Sequence, residues 1–486
     1  MAKDKEPRQL ASQYAGVNSL VDLDRMIDNI AQKQDFDFTT MDRDTLIQNA
    51  VSTGVLSLDL LMGGGYAPGR FSYWYGATGT CKSTILFQSL RETLQSNIQA
   101  MIFDHEGSIA PDYLEKLGVM LDEVCGYRNK KGDWEKTRQL YYASPQTAED
   151  TFQFMYQMLN ALPRKIKLAD DSGENHYFLI HPEYGINVSW SSIMKGMKEK
   201  VKDRPAVVEV EDFCPQFVFM IDSLRAMISN AQDMQQDNKD KEKKDIIADL
   251  ARVLSKSFRL IKGMLHTKHC IMIATNHITV NPMAGFGNPE VEPGGNAVQF
   301  YPDFKGRLHI NRAESKILEE AHISGDGVDR YLLGTAKVMK NKAGPSFRRM
   351  DYRLWLDERG DPGRGIDPVW DMYTFLESTG MLVQGARSSE DEAKTPKNKF
   401  TVKVPGVVET NFDWQEFKKF VMVDYNDGSH HLRETCKKLL AEGEAQRLYY
   451  DFLKNNPTAK KKKASFTGAK HAEDSTEEFE EMSATV

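Results

Sequence analysis

FSYWYGATGTCKSTILFQSLRETLQ, residues 71–95, joins a short apolar run to an amphipathic segment through a glycine-containing loop. The run 71–75 is typical of a buried strand, and residues 83–95 carry apolar side chains at helical spacing. The loop between them, GATGTCKST (76–84), matches the phosphate-binding pattern G-x-x-x-x-G-K-[ST] except that Cys81 replaces the second glycine. The stretch therefore predicts a strand, a phosphate-binding loop and a helix in that order.

This loop carries groups that suit a nucleoside triphosphate. Its backbone amides and the N-terminus of the following helix would point at the phosphates. Lys82 would contact the β and γ phosphates, and the Ser83 hydroxyl would bind Mg²⁺. The residues predicted to bind the nucleotide are Gly76, Ala77, Thr78, Gly79, Thr80, Cys81, Lys82, Ser83 and Thr84. A glycine-rich turn that contains Lys-Ser by chance is the alternative, and the flanking strand and helix argue against it.

Cys81 leaves three interpretations of the loop open: a working site, a decayed site or a catalytic thiol. Glycine tolerates positive φ and lets the backbone approach a ligand closely, so a Cβ at this position should crowd the phosphate. Cysteine is small, which favours adaptation over loss, and no paired histidine is evident for a reactive thiol. We therefore expect a tolerated variant, and ask whether Cys81→Gly speeds ATP turnover.

Polar side chains end three of the neighbouring apolar runs. Asp222 ends the run 216–223 and could hold Mg²⁺ directly or through water, although a carboxylate that caps the next helix is the alternative. Glu106 would face the γ phosphate from the adjoining strand end and activate or orient the attacking water. Asn276 ends another predicted strand and could sense the same phosphate through its amide.

The pattern of apolar runs predicts an α/β fold. Between about residue 51 and residue 380, runs that alternate with helical segments imply a mainly parallel sheet covered on both faces. Those runs lie at 71–75, 100–106, 216–223 and 270–277. Three later segments alternate apolar and polar residues and predict an antiparallel extension of the sheet. They are GRLHINR (306–312), YLLGTAKVMKNK (331–342) and FRRMDYRLWLD (347–357).

Shifts in composition divide the chain into a core with extra parts. We expect an N-terminal helical region, which could be a polymerisation arm, a core, an inserted subdomain, a linker, a small helical C-terminal domain and a disordered tail. The corresponding ranges are 1–50, 51–385, about 163–213, 386–399, 400–456 and 457–486. The tail is basic and then acidic, a composition that cannot build a core.

Composition excludes several classes of protein. No run of 18 or more apolar residues occurs among the 486, so we expect no membrane span, and the charged N-terminus lacks the apolar stretch of a signal peptide. The five cysteines are scattered without metal-ligand spacing and indicate reduced thiols in a cytoplasmic setting. A net charge of −7 argues against a uniformly basic nucleic-acid binder, but a local basic groove stays compatible with it.

Two stretches bound a resemblance to the RecA-type strand-exchange recombinases: STGVLSLDLLMGGGYAPGR (52–70) and GIDPVWDMYTFLESTGML (365–382). Between them, FDHEGSIAPDYLEKLGV (103–119) resembles the family segment with the catalytic glutamate, which falls on Glu106, and with the tyrosine that stacks on adenine, which falls on Tyr113. The resemblance implies a RecA-like P-loop ATPase core that binds ATP and Mg²⁺ and forms helical filaments on DNA.

The most specific match is FGNPEVEPGGNAVQFY (286–301), which resembles the family's second DNA-binding loop. The resemblance implies DNA contacts within about 279–296, and the residues concerned are Phe286, Gly287, Asn288, Gly294, Gly295 and Asn296. Phe286 could enter between bases of a stretched strand, although a loop anchor packed on the core is the alternative. The first DNA loop, about 228–245, shows no close match.

Two further segments carry basic residues with implied roles. ADLARVLSKSFRLIKG (248–263) resembles the helix that presents arginines to DNA, here Arg252 and Arg259, seven residues apart on one face. A solvated helix face is the alternative for that pair. VMKNKAGPSF (338–347) resembles the segment whose lysines reach the neighbouring subunit's ATP, which implies catalytic roles for Lys340 and Lys342.

The departures from the pattern point to phage recombinases of the UvsX type, because the insertion, the altered loop and the acidic tail set this chain apart from the bacterial enzyme. The implied function is ATP-dependent pairing and strand exchange between single-stranded DNA and homologous duplex. The tail could compete with DNA, recruit single-strand-binding or loader proteins, or only solvate the chain. A helicase motor of the same superfamily and a recombination mediator with a weakened site are the alternatives.

Overall fold

The computed structural model describes residues 50–455 with gaps at 127–129, 132–137, 171, 186–188, 211–214, 232–242, 281–289, 311–316, 323–326, 345, 347, 357–361 and 385–398. Several predictions concern residues outside the described ones. These are the N-terminal helical region, most of the first DNA loop, the linker, the tail, and Phe286, Gly287 and Asn288 of the second DNA loop.

The described segments form twenty strands and twelve α-helices. The strands are β1 (Phe71–Gly76), β2 (Gln99–Asp104), β3 (Leu140–Ala143), β4 (Arg164–Ala169), β5 (Asn175–Ile180), β6 (Lys200–Val201), β7 (Arg204–Pro205), β8 (Val207–Val210), β9 (Phe217–Asp222), β10 (Ile271–His277), β11 (Thr279–Val280), β12 (Glu290–Val291), β13 (Phe304–Ile310), β14 (Ile317–Ala321), β15 (Val328–Asn341), β16 (Arg349–Leu356), β17 (Pro362–Ile366), β18 (Leu382–Gln384), β19 (Phe400–Val404) and β20 (Val408–Phe412). The helices are α1 (Leu56–Met62), α2 (Lys82–Gln95), α3 (Pro111–Lys116), α4 (Leu121–Val124), α5 (Ala148–Ala161), α6 (Trp190–Gly196), α7 (Lys243–Thr267), α8 (Ala297–Phe300), α9 (Pro368–Ser378), α10 (Trp414–Asp427), α11 (Leu432–Ala441) and α12 (Glu444–Asn455). Among these helices, none has both the length and the apolar character that crossing a bilayer requires.

A large mixed sheet confirms the predicted α/β class. Its strand order is β17-β16-β15-β13-β1-β10-β9-β2-β3, with β14 paired to β15. The half from β13 to β3 is parallel. Every residue of β1 and β9 is buried, as expected for strands covered on both faces. The apolar runs therefore predicted the central strands because these strands have no solvent-facing side.

The antiparallel extension begins one strand later than predicted. β13, which contains most of GRLHINR, runs parallel to β1 and antiparallel to β15. Its alternating pattern arises because Arg307 is half-buried and His309 is exposed while the residues between and around them are buried. The strand thus joins the parallel half to the antiparallel half formed by β15, β16 and β17.

The parallel strands end along one edge of the sheet, and α2 packs against them. In the register, Gly76 lies opposite His277, and Asp104 lies opposite Asp222. Carboxyl ends of neighbouring parallel strands meet at the same edge, where ligands of open α/β sheets bind. This edge therefore brings the loop after β1 together with the ends of β2, β9 and β10.

Residues 160–213, where we predicted an inserted subdomain over 163–213, belong to a separate compact unit. Strands β4, β5 and β8 form its antiparallel sheet. A small core of its own lies beneath this sheet and consists of Ile166, Phe178, Ile180, Ile193 and Val207. The unit thus has the apolar centre that an independently packed insertion needs.

The C-terminal part differs from the helical unit predicted over 400–456, because it begins with a hairpin. β19 pairs with β20 and with β18, and only then do three helices follow. Phe400, Val402 and Val404 are buried while Lys403 between them is exposed, a two-residue period that is typical of a strand. This apolar set shares one continuous core with the central sheet, so the described residues show no separate C-terminal body.

An ion cluster ties α2 to the C-terminal helices. The buried carboxylate of Glu92 accepts hydrogen bonds from Arg91 at 2.8 Å, Arg433 at 3.1 Å and Lys437 at 2.5 Å. Burial alone would raise the pKa of Glu92, but Arg433, Lys437 and Arg91 outweigh it and lower the pKa to about 2. The helix that follows the phosphate loop is thereby fixed to α11.

Glu92→Gln should lower the free energy of unfolding by roughly 3 kcal/mol at pH 7, because the substitution leaves three cations without their counter-charge. The wild-type pKa is depressed, so this stabilisation is present above about pH 4.5 and is lost as pH falls towards 2. Urea denaturation at pH 7 and pH 3 measures it, with exposed Glu115→Gln as the control. An equal difference between wild type and Glu92→Gln at both pH values would contradict the account.

Candidate nucleotide and magnesium site

The loop between β1 and α2 has the backbone path of a phosphate-binding loop. β1 ends at Gly76 and α2 begins at Lys82. A Cβ on Gly76 would lie 2.4 Å from the Leu308 carbonyl oxygen and 2.6 Å from Thr80 Oγ1, so only glycine fits there. Gly79 has φ +75°, a left-handed conformation that glycine adopts without strain. The predicted loop therefore has its glycines where the backbone requires them.

Cys81 occupies the conformation that a glycine would normally take. Its φ is 64° and ψ is 23°, in the left-handed region, and its side chain is buried with 6% exposure. The loop therefore keeps its path with cysteine at this position, rather than refolding around it. A left-handed conformation costs a residue with a Cβ about 1–2 kcal/mol. The cost that we predicted for a Cβ at position 81 therefore comes from the backbone conformation of Cys81.

Cys81→Gly should be more stable than Cys81→Ala by about 1 kcal/mol in free energy of unfolding, because only alanine keeps the Cβ at positive φ. Both variants lose the buried sulfur, so the comparison isolates the conformational penalty. Chemical denaturation of the two variants and of wild type measures the difference. Equal stability of the glycine and alanine variants would show that position 81 carries no backbone strain.

Lys82 is buried and folded over its own loop. Its Nζ donates to the carbonyl oxygens of Ala77 at 2.8 Å and Gly76 at 3.2 Å. Burial lowers the pKa of Lys82 to about 8, while the negative charges of Asp222 and Glu106 act in the opposite direction. The group is therefore still mostly a cation at pH 7. It places a positive charge next to the position predicted for the β and γ phosphates.

Asp222 fits the predicted magnesium role. Its Oδ1 accepts a hydrogen bond from Thr275 Oγ1 at 2.5 Å, whereas the buried Oδ2 has no hydrogen-bond partner within the described part of the chain. Burial raises the pKa of Asp222, and the hydrogen bond from Thr275 and the nearby Ser83 hydroxyl lower it in part. A buried, unpartnered carboxylate oxygen beside a serine hydroxyl is an oxygen donor pair of the kind that Mg²⁺ prefers.

Glu106 is held at the same edge by two residues that we did not predict. Its Oε1 accepts hydrogen bonds from Ser223 Oγ at 2.5 Å and from His277 Nε2 at 3.0 Å. The hydrogen bond from His277 lowers the pKa of Glu106 to about 2, with Ser223 and Lys82 adding to the effect against partial burial. Glu106 is therefore a carboxylate at any physiological pH.

The turn that carries Glu106 is shaped by Asp104. The buried Asp104 carboxylate accepts hydrogen bonds from the backbone N–H groups of Glu106 at 3.1 Å, Gly107 at 2.8 Å and Ile109 at 3.2 Å. It also accepts one from the Tyr142 hydroxyl at 3.0 Å. Asp104 thus positions Glu106 without reaching the phosphate loop itself. The FDHEGS segment contained this signal, because an Asp two residues before a turn commonly binds the turn's amides.

Asn276 lies where predicted, but its amide is engaged elsewhere. Its Nδ2 donates to the Tyr73 hydroxyl at 2.7 Å and to the Pro293 carbonyl at 2.8 Å, and its Oδ1 accepts from His277 N–H at 3.0 Å. Both amide protons are therefore used, and neither faces the phosphate loop. Asn276 instead connects the end of β10 to Pro293, which lies within the predicted second DNA loop.

Tyr113 lies beside the end of the phosphate loop. Its hydroxyl is 2.7 Å from Thr84 Oγ1, and its ring meets Phe87 edge to face with centroids 6.2 Å apart. Burial raises the pKa of Tyr113 to about 12. The residue is partly exposed. Stacking on adenine stays a prediction.

The glycines predicted to contact DNA pack against α7. Gly294 and Gly295 have φ of +106° and +64°. A Cβ on Gly294 would lie 2.8 Å from Val298, and one on Gly295 would lie 3.0 Å from Ala251. Asn296 is the residue that precedes the short helix α8, and its side chain makes no capping hydrogen bond. These residues form the tight turn that seats the end of the predicted DNA loop on α7.

Among the described residues, none of the four basic residues that we predicted forms a hydrogen bond with the phosphate loop. Arg252 is exposed and pairs with Asp249 at 3.0 Å, while Arg259 donates to the Tyr301 hydroxyl at 3.3 Å. Lys340 donates to the Phe300 carbonyl at 2.7 Å, and Lys342 lies 3.4 Å from Asp303. The described residues thus place these four cations around α7, α8 and the end of β15, with no direct contact to Lys82 or Glu106.

Comparison with known proteins identifies the family. The profile of the RecA N-terminal domain matches residues 27–135 and 215–359, just over half of the chain, and the break between them contains the inserted unit. The chain is 24% identical over 335 residues to Protein RecA of Prochlorococcus marinus strain MIT 9211, an alignment that covers 69% of this chain and 67% of that protein. It is 25% identical over 337 residues to Protein RecA of Synechococcus sp. strain CC9902, covering 69% of this chain and 65% of that protein.

A third relative, Protein RecA of Parasynechococcus marenigrum strain WH8102, is 25% identical over 337 residues, with 69% of this chain and 66% of that protein covered. The chain thus spans about two thirds of the length of the curated relatives that it matches. The matched ranges include the phosphate loop, Glu106, Asp222 and Asn276. The chain therefore belongs to the RecA family.

Proposed function

We propose that this protein is an ATP-dependent DNA recombinase. It forms filaments on single-stranded DNA and catalyses homologous pairing and strand exchange in recombination and repair. The observation that carries the proposal is the meeting of four groups at one sheet edge: the phosphate loop, Glu106, Asp222, and a strand whose Asn276 binds Pro293. A hydrolytic site and a predicted DNA loop are thereby joined through one strand end.

Glu106 is the residue we assign to the attacking water. As the water oxygen bonds to the γ phosphorus, the bond to the β–γ bridging oxygen breaks, and ADP leaves with that electron pair. The water proton passes to the Glu106 carboxylate. A group with a pKa of about 2 is a weak base, so we infer that orienting the water is its main task. Both present donors bind Oε1, so the water would donate to Oε2, the other oxygen of the carboxylate.

Lys82 and the magnesium residues stabilise the charge that develops on the phosphates. The Lys82 Nζ now bonded to two loop carbonyls would turn to the β and γ phosphates, which are stronger acceptors than neutral oxygens. Mg²⁺ held by Ser83 and Asp222 would neutralise charge on the phosphate oxygens. Tyr113 would stack on the adenine, and the remaining loop amides would enclose the phosphates.

Coupling to DNA would run through Asn276. Its hydrogen bonds to Tyr73 and Pro293 tie the β10 end, which also carries His277, to the C-terminal part of the predicted second DNA loop. A change at the γ phosphate that moves Glu106 would move His277 with it. Arg252 and Arg259 on α7 would hold DNA phosphates by ionic contacts, which are independent of base sequence.

The filament would complete each ATP site. We assign Lys340 and Lys342 to the neighbouring subunit's ATP, where they would add positive charge to the transition state in trans. Lys340 now donates to a backbone carbonyl, and Lys342 lies against the shared carboxylate of Asp303. Each lysine could exchange this partner for a phosphate.

The finer assignment is to phage recombinases of the UvsX type, acting in the cytoplasm. The inserted unit and Cys81 support it, because both depart from the pattern of the bacterial enzyme. The C-terminal tail would recruit single-strand-binding or loader proteins. These assignments concern partners and source, and they can fail without changing the proposed reaction.

A homologous pairing assay tests the proposal. The wild-type protein, ATP, Mg²⁺ and a labelled single strand are expected to form joint molecules with a homologous duplex, and none with a heterologous duplex. Unwinding of both duplexes without joint molecules would favour a helicase motor instead. DNA binding that does not depend on ATP, together with no joint molecules, would favour a mediator.

A further inference from the structure

The inserted unit contains a cluster of side chains that the ATPase chemistry does not use. Asp170, Glu174 and His176 lie at the tip of the β4–β5 hairpin, and their ligand atoms are all within 4.8 Å of one another. The matched family ranges end before this unit and resume after it. The cluster therefore needs an explanation of its own.

The hairpin turn fixes two of these residues. Asp170 N–H donates to the Glu174 carbonyl at 2.8 Å, and Gly173 takes a φ of +86° between them. Asp170 Oδ1 accepts hydrogen bonds from the backbone N–H groups of Ser172 at 2.9 Å and Glu174 at 2.8 Å. These bonds hold the carboxylate in place through one oxygen. Oδ2 is left to face His176.

The imidazole of His176 is oriented by a second carboxylate. Its Nδ1 lies 2.7 Å from Glu209 Oε1, so Nδ1 carries the proton and Nε2 presents its lone pair in the neutral ring. Nε2 is shielded from solvent and, among the residues that the structure describes, has no hydrogen-bond partner. A carboxylate that holds the far nitrogen of a histidine is the usual outer partner of a metal-binding imidazole.

The spacing of the ligand atoms fits an ion better than a direct contact. His176 Nε2 and Asp170 Oδ2 are 3.6 Å apart, too far for a good hydrogen bond. Two ligand atoms each about 2.1 Å from a tetrahedral Zn²⁺ lie about 3.4 Å apart. The observed separation therefore leaves room for an ion between the two atoms, with Glu174 within reach as a third ligand.

We propose that the inserted unit binds one divalent first-row transition ion, such as Zn²⁺, through His176 Nε2, Asp170 and Glu174. Glu209 orients the imidazole from the far side. An imidazole among the ligands selects Zn²⁺, Co²⁺ or Ni²⁺ over Mg²⁺ and Ca²⁺, which prefer oxygen alone. The ion would hold the turn end of the β4–β5 hairpin, and the hydrogen bond from His176 to Glu209 would connect it to β8.

Trp190 supplies a local reporter for this site. Its ring lies edge-on to His176 with centroids 5.1 Å apart. Co²⁺ bound at His176 should quench the fluorescence of Trp190, and Trp190→Phe should remove that part of the signal. Binding can therefore be followed without any readout of ATP hydrolysis or DNA pairing.

The test is a titration of the full-length, nucleotide-free protein with Co²⁺ and then Zn²⁺, followed by fluorescence and by equilibrium dialysis. Wild type should bind one ion per chain at this site. His176→Asn should weaken binding at least about 100-fold, and Glu209→Gln about 10-fold to 100-fold. Asp170→Asn keeps the oxygen that orders the turn and removes the ligand charge, so it tests the site with the hairpin intact. Exposed His309→Asn is the matched control and should bind as wild type does.

Equal affinity and stoichiometry in wild type and His176→Asn would overturn the proposal, as would a wild-type protein that takes up no ion. Tighter binding of Mg²⁺ or Ca²⁺ than of Zn²⁺ would also contradict it. A melting curve of each variant shows that loss of binding does not reflect loss of the fold.

Discussion

Glu106→Gln is expected to lower the kcat of DNA-stimulated ATP hydrolysis by roughly 10²-fold to 10⁴-fold, the range for a residue that positions and deprotonates a nucleophile. Glutamine keeps the shape and can still accept a hydrogen bond from Ser223 or His277. It cannot take a proton from water. Affinity for ATP should change little, because the carboxylate lies beside Lys82 and Asp222 without forming part of the phosphate loop.

Steady-state hydrolysis with saturating single-stranded DNA, together with nucleotide binding by fluorescence, measures both effects. Glu115→Gln, on the exposed side of α3, is the matched control and should hydrolyse ATP as wild type does. His277→Ala should give a smaller loss than Glu106→Gln, since it removes the orienting contact but leaves the carboxylate. Hydrolysis by Glu106→Gln within a factor of three of wild type would remove Glu106 from the reaction.

Lys82→Ala is expected to reduce hydrolysis by roughly 10²-fold to 10³-fold, the range for removing one charged donor from a transition state. ATP binding should weaken as well, because Lys82 is the only charged side chain within the loop 76–84. ATP-dependent DNA binding and joint-molecule formation should be lost with it. The fold should survive, since both loop carbonyls keep a donor: Gly76 O accepts from Ile278 N–H at 3.1 Å, and Ala77 O accepts from Thr80 Oγ1 at 2.8 Å.

Lys116→Ala, at the exposed end of α3, controls for loss of a positive charge near the site. Filter binding of labelled DNA with and without ATP gives the second readout. Full strand exchange by Lys82→Ala would contradict the assignment of this loop to ATP. The result would also separate the proposed recombinase from a mediator that needs no nucleotide.

The sequence pattern was sufficient for the central strands and for the edge where they end. β1, β9 and β10 are buried along almost their whole length, so their composition alone distinguishes them from exposed segments. Because parallel strands end at one edge, Glu106, Asp222 and Asn276 had to lie near the phosphate loop. The C-terminal hairpin was not predicted, because strands of five residues show only a short alternation of apolar and polar side chains. The helical pattern of the three amphipathic helices that follow dominates this part of the sequence.

The partners of each site residue could not be predicted in the same way. His277 reaches Glu106 only because β10 and β2 flank β9 in the finished sheet, and residues that lie 171 positions apart along the chain carry no local signal of contact. The positive φ of Cys81 and the orientation of Asn276 towards Pro293 also depend on the assembled backbone. Sequence patterns therefore predicted which residue types lie at the edge, and the structure determines which atoms meet.

The rate of ATP hydrolysis with and without single-stranded DNA tests the central claim most directly, namely that the loop containing Cys81 is a working site coupled to DNA. Wild type should hydrolyse ATP at least about ten times faster with DNA than without it. Lys82→Ala should reach neither the basal nor the DNA-stimulated rate of wild type. Tenfold stimulation corresponds to about 1.4 kcal/mol of transition-state stabilisation. A wild-type rate that stays at the Lys82→Ala background with saturating DNA and Mg²⁺ would contradict the account.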